Sequence, residues 1–181
     1  MDGIPRKPLR TGLAAAAAAA VLLLGMAPLA MASPASAPTG WQHQATSWTH
    51  PAARSPEVVN LRYAAHRTFD RVVIDVAGRI PSGGARYARR FQYDASGRPV
   101  PIRGRSGIAL TLSPARAHDR HGDAYDGPRV ARPHLESLKA LALTGDFEGT
   151  VSFGFALTHR APYRVLFLHD PQRLVIDFQH P

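Results

Sequence analysis

The sequence predicts an all-β chain, an antiparallel β-sandwich or partly closed barrel, with one short helix near residues 134–141. Three observations carry that prediction. The first is a phrase used twice: Arg71-Val72-Val73-Ile74-Asp75-Val76 and Arg173-Leu174-Val175-Ile176-Asp177-Phe178. Branched and aromatic side chains pack well on a pleated surface, so both runs read as strands. The second is alternation, because residues two apart on a strand share a face. Val72, Ile74 and Val76 point one way, and Arg71, Val73 and Asp75 the other; the second copy repeats the arrangement. The matched charges make Arg71, Asp75, Arg173 and Asp177 candidates for structural ion pairs. The third is spacing. Short runs recur every ~8–12 residues with turn signals between them, as in sandwiches and barrels.

In chain order, residues 57–64 form the first strand, centred on Val58-Val59-Asn60-Leu61, and residues 69–76 pair with it. Gly78 and the Pro81-Ser82-Gly83-Gly84 run mark a loop. Residues 85–93 are the next strand, with Tyr87, Arg89, Phe91 and Tyr93 on one face. Asp94-Ala95-Ser96-Gly97 is a turn. Residues 100–102 make a short strand beside Pro99 and Pro101, which suit a sheet edge. Residues 107–112 alternate again. Residues 113–133 are the longest irregular stretch, and a loop of that length is usually functional or disordered. Residues 135–143 are ambiguous: the spacing of Leu135, Leu138 and Leu141 suits a helix, while Leu141-Ala142-Leu143-Thr144 suits a strand. Gly145-Asp146-Phe147-Glu148-Gly149 is a turn. Residues 151–157, 163–168 and 173–178 complete the strands, the last two joined by His169-Asp170-Pro171-Gln172.

The N-terminus reads as a leader. Arg6, Lys7 and Arg10 precede an apolar run from residue 13 to 24, and Ala30-Met31-Ala32 supplies the small residues a signal peptidase requires. Residues 1–32 are therefore expected to be a cleaved signal peptide, leaving no stable membrane span. The alternative is an uncleaved anchor, since residues 13–32 are uncharged and about 20 apolar residues cross a bilayer. Residues 33–56, rich in Ala, Pro, Ser and Thr, read as a disordered linker. Trp41 and Trp48 are the anomaly there: they either dock on the domain, stack on a sugar, or stand in solvent.

The formal net charge is +9, and it is still +7 once the three basic residues and one acid of the leader are removed. Nearly all the cations are Arg, a planar fork that suits carboxylates and phosphates. A GC-rich genome enriches Arg in the same way. Cysteine is absent, which excludes a disulfide framework, a thiolate metal site and a Cys nucleophile.

Phe69-Asp70-Arg71-Val72-Val73-Ile74-Asp75, the stretch from Gly145 to Gly154, and Pro171-Gln172-Arg173-Leu174-Val175-Ile176-Asp177 together resemble the AMIN-like domain, over residues 57–181. That domain occurs in exported proteins and lipoproteins of actinobacteria and is similar to the AMIN domain, a β-sandwich of bacterial envelopes. The resemblance implies a non-catalytic module that binds peptidoglycan or another wall component. The lack of a lipobox cysteine sets this chain apart from the lipoprotein members.

The residues themselves favour binding over catalysis. Arg86, Arg89 and Arg90 interleave with Tyr87, Phe91 and Tyr93, placing cationic forks beside aromatic faces that suit sugars bearing carboxylates or phosphates. Tyr125 and Glu148 are further candidate binding residues. Glu148 with Asp146, or Asp75 with Asp177, could form the carboxylate pair of a glycosidase, but arginine partners for the second pair are at hand. The His118, Asp119, His121, Asp123 group matches no firm zinc or calcium spacing, so no metal or other cofactor is expected. The expectation is an exported domain that binds a cell-envelope polymer, peptidoglycan or an associated anionic polysaccharide, and no nucleic acid. A protein-interaction module for an envelope partner is the alternative, and a carboxylate-dependent hydrolase ranks behind both.

Overall fold

The computed structural model describes residues 40–51 and 54–181; the predicted leader lies outside the described residues. The strands run β1 (Thr46–Trp48), β2 (Glu57–Ala65), β3 (Phe69–Ala77), β4 (Gly83–Tyr87), β5 (Ser106–Leu112), β6 (His118–Asp119), β7 (Gly122–Asp123), β8 (Val130–Ala131), β9 (Leu138–Phe147), β10 (Thr150–Leu157), β11 (Tyr163–Leu168) and β12 (Arg173–Gln179). They form a six-stranded sheet, β1-β4-β5-β10-β9-β8, a four-stranded sheet, β11-β12-β3-β2, and the small β6-β7 ribbon. All strand pairings are antiparallel. The two large sheets face each other as a sandwich, and neither closes into a barrel.

Alternation decides which side chains meet between the sheets. Val72 and Ile74 of β3 and Leu174, Ile176 and Phe178 of β12 come from one sheet. Leu110, Leu141, Phe153 and Phe155 come from the other, and all are buried in one core. Phe155 packs against Phe178 with ring centres 5.5 Å apart. Full burial of such side chains contributes about 1.5–3 kcal/mol each, which drives the sheets together.

The repeated phrase explains the middle of the four-stranded sheet. When two strands carrying Arg first and Asp fifth pair antiparallel, each Arg faces the other's Asp: Arg71 lies opposite Asp177 and Arg173 opposite Asp75. The first pair forms, with Arg71 Nε and Nη2 donating to the two Asp177 oxygens at 2.7 and 2.9 Å. The second does not. Asp75 takes a bidentate contact from Arg62 on β2 at 2.9 and 2.7 Å, and Arg173 donates to the Pro171 carbonyl instead.

Four expectations are corrected. The segment near 134–141 is not helical, and the described residues contain no helix. Asp70, fully buried, accepts the Ser137 and Leu138 N–H groups at 2.6 and 2.8 Å and holds the start of β9 extended, while its other oxygen lies 2.9 Å from His180 Nε2. The strand expected over residues 85–93 ends at Tyr87, and residues 100–102 contribute no strand, only a neighbouring bridge between Gln92 and Pro99. The long 113–133 stretch holds β6, β7 and β8 and is anchored by the buried Ala115, Ala117 and Tyr125.

The linker is corrected over its described part. Gln42 exchanges two backbone hydrogen bonds with Tyr163 of β11, at 2.6 and 3.1 Å. A few residues on, β1 pairs with β4. The arm thus ties one sheet to the other. Trp48 is 2% exposed, donates its Nε1–H to the Pro81 carbonyl at 2.9 Å, and packs on Phe167 at 5.4 Å. Gly83 makes room for it, since a Cβ there would stand 2.7 Å from the indole and 2.5 Å from the Thr111 carbonyl.

Candidate functional site

Beyond β4 the chain leaves the sheet and residues 88–105 fold back over the outer face of the six-stranded sheet. That face is built of small residues, Ala109, Ala140, Ala142, Gly154 and Ala156, so a large side chain can lie on it. Phe91 does so and is 7% exposed. A Cβ on Gly154 would stand 2.6 Å from its ring, and one on Gly107 would stand 2.7 Å from it. Phe91, Val100 and Ile102 with Ala140, Ala142 and Ala156 make a second small core. With Phe91 pinned inward, Arg89 and Arg90 on its flank are exposed to solvent, as is Arg86 on β4.

Three adjoining grooves open along this excursion. One of about 360 Å³ is bordered by Arg86, Arg90 and Asp94, with Thr111, Thr144 and Ser152. The next, about 460 Å³, shares Arg90 and adds Arg89 and Arg103. The third, about 290 Å³, shares Arg89 and adds Arg105 and Arg160. None of these six arginines makes a salt bridge among the described residues, whereas Arg62, Arg71, Arg116, Arg129 and Arg164 each do. Asp94 is the one acid bordering the three grooves. The paired arginines serve the fold, and these six without an acidic partner are gathered on one surface.

The groove of about 360 Å³ has a floor that the sequence did not reveal. Between β9 and β10 the register slips: Ser152 pairs with Gly145 but Phe153 with Leu143, so Thr144 is the extra residue of a β-bulge. Bulges re-aim side chains and free a ladder carbonyl. Here the Thr144 carbonyl accepts the Asp94 N–H at 3.0 Å, which ties the 94–97 turn to the bulge. Thr144 and Ser152 are 7% and 8% exposed, line the groove, and neither hydroxyl is hydrogen-bonded to another described residue.

The remaining candidates are dispersed. Tyr87 closes the core: its ring packs edge-on to Tyr163 at 5.6 Å, its hydroxyl donates to the Ala161 carbonyl at 2.8 Å, and Arg160 covers it at 3.6 Å. Burial pushes its phenol pKa up. Tyr93 leans on the second core and has its backbone in the 94–97 turn. Tyr125 is corrected from binding residue to core residue. It is 6% exposed, packs on Phe153, donates to the Pro128 carbonyl, and burial drives its pKa far above the usual phenol value. Glu148 occupies the two-residue β9–β10 turn with Gly149, both at positive φ as such hairpins need, and borders none of the three grooves. Asp146 is engaged by His118 at 2.6 Å, and Asp75 and Asp177 are each held by arginine. Asp123 pairs with Arg129, and no cluster of three metal-ligating side chains forms among the described residues.

The second sheet has a surface that the sequence pointed to only through its charges. Arg164 Nε joins Arg71 on Asp177 at 2.8 Å. Arg164 also lies 4.6 Å from the Trp41 ring and 5.0 Å from Phe69, and His66 stacks on Phe69 at 4.6 Å.

Together these features define a two-sheet sandwich with an arginine-rich groove system on one outer face. The chain belongs to the AMIN-like domain family, whose model matches residues 56–180. This is a non-catalytic type of domain associated with the bacterial envelope. No curated protein and no solved structure matches the chain.

Proposed function

We propose that this protein is an exported, non-catalytic domain that binds an anionic polymer of the cell envelope through the 86–105 surface, without a cofactor. The observation that supports this most strongly is the clustering of its arginines: six without an acidic partner border three adjoining grooves, while Arg62, Arg71 and Arg164 of the four-stranded sheet are each held by an acid. Unpaired guanidinium forks present several donors each to carboxylate or phosphate oxygens. The expected N-terminal leader supports export, and membership of the AMIN-like family supports an envelope location. A protein partner is the second reading, favoured by β2. It is the terminal strand of its sheet, exposed from Arg62 to Ala65, and such edges accept a further strand.

The test is the triple variant R86Q/R89Q/R90Q on purified cell-wall sacculi. Exposed ion pairs contribute about 0.2–1 kcal/mol each, so three together should weaken binding by roughly 3- to 100-fold. Wild-type binding should also fall with salt, as the screening length shrinks from about 10 Å at 0.1 M to about 3 Å at 1 M. A triple variant that binds as wild type does would remove this surface from the account.

A further inference from the structure

We infer that the groove between β4, β5, β10 and the 88–105 excursion holds one carboxylated sugar unit of the polymer, its carboxylate on Arg86 and Arg90 and its hydroxyl groups on Thr144, Ser152 and Asp94. This rests on the polymer-binding reading above and names the chemistry of its specific point of contact.

The three grooves differ in what they offer. Those bordered by Arg89, Arg103, Arg105 and Arg160 present exposed cations, which attract any polyanion. The groove of Arg86 and Arg90 has in addition a built floor. Thr144 and Ser152 are more than nine-tenths buried, yet neither hydroxyl is used by the fold, and both line the groove. Neither hydroxyl is among the sealed polar atoms that lack a partner, so both are open to the groove and free to donate to or accept from a ligand. The bulge at Thr144 puts this side chain there, and the Asp94 N–H bond to its carbonyl fixes the rim relative to the floor.

Asp94 narrows the choice of ligand. It is the one acid on a rim otherwise cationic. A chain of bare phosphates has no donor for it and is repelled by it. A sugar ring has hydroxyl groups that donate to Asp94 and both donate to and accept from Thr144 and Ser152, while a carboxylate on the same ring fits the guanidinium forks. The volume, about 360 Å³, is at the small end of the ~300–1,000 Å³ range of small-molecule sites, which suits a short stretch of polymer rather than a protein segment.

The test uses the full-length chain with Thr144→Val and Ser152→Ala together. These remove both hydroxyls and change no charge, and since neither hydroxyl is bonded within the described residues the melting temperature should be unchanged. Binding is measured by calorimetry to a soluble oligomer of galacturonic acid and, as a charge-only probe, to inorganic polyphosphate. The expected result is about tenfold weaker binding of the galacturonate oligomer, the loss of two ordinary hydrogen bonds, with polyphosphate binding held at the wild-type level. Equal affinity of the variant and wild type for the sugar overturns the inference, as does a parallel loss on both probes. Wild-type protein that binds sacculi and polyphosphate but not the oligomer also overturns it while leaving the polymer-binding reading standing. Wild-type protein that binds none of the three overturns that reading itself.

Discussion

Replacing Asp177 with Ala is expected to lower the unfolding free energy by about 3 kcal/mol, near the bottom of the ~3–5 kcal/mol range for removing one partner of a buried ion pair. Asp177 is fully buried, and the side chains of Arg71 and Arg164 that it holds are 27% and 26% exposed. Without it two like charges face each other with little water to screen them, and the three charge-assisted hydrogen bonds at 2.7–2.9 Å are lost. The partial exposure of the arginines is why the low end applies. Asp177→Asn keeps an acceptor and the shape but not the charge, and should fall between. Chemical denaturation with a fixed slope measures the change. A loss under about 1 kcal/mol, the level of a surface pair, would show that the arginines find other partners. Arg164 also lies over Trp41, so the same variant should raise Trp41 solvent exposure, read as a red shift in tryptophan emission.

Trp48→Ala should cost about 3–5 kcal/mol, the usual penalty for truncating a buried large aromatic. Trp48 is 2% exposed, its N–H is bonded to Pro81, and the site was cleared for it by Gly83. Removing it leaves a cavity between β4 and Phe167 and an unanswered carbonyl. The family match begins at residue 56, so a chain started there would lack β1 altogether. That shortened chain should be destabilised at least as much as the point variant. If it melts with the full-length protein, the arm is an accessory and not part of the sandwich.

These two positions show what could be read in the sequence and what could not. Asp177 was legible because a strand repeated with Arg first and Asp fifth can pair antiparallel in only one charge-matched way. Its second arginine, Arg164, and the capture of Asp75 by Arg62 depend on which strands lie on either side, and no local pattern encodes that. β3, β5, β10 and β12 announced themselves by alternation of large apolar residues with small or polar ones. β9 did not: Leu138, Ala140, Leu141, Ala142 and Leu143 are all buried because the second core covers the outer face, and a run buried on both sides looks the same for helix and strand. Trp48 sat in a three-residue edge strand amid Ser and Thr, too short to show a period. The arginines of the candidate surface were visible, but the prediction put Phe91 and Tyr87 together on one strand face; the chain turns out of the sheet after Tyr87 and sends Phe91 to a different core. The bulge at Thr144 was invisible, since it is a mismatch between two strands and belongs to neither alone.

The most direct measurement is sedimentation of the full-length protein with purified sacculi, before and after their anionic polymers are stripped, at low and high salt. Binding to intact sacculi should fall with salt, weaken in R86Q/R89Q/R90Q, and be largely lost on stripping. Binding that is unaffected by stripping, salt and the triple substitution would contradict this expectation and place recognition elsewhere on the sandwich.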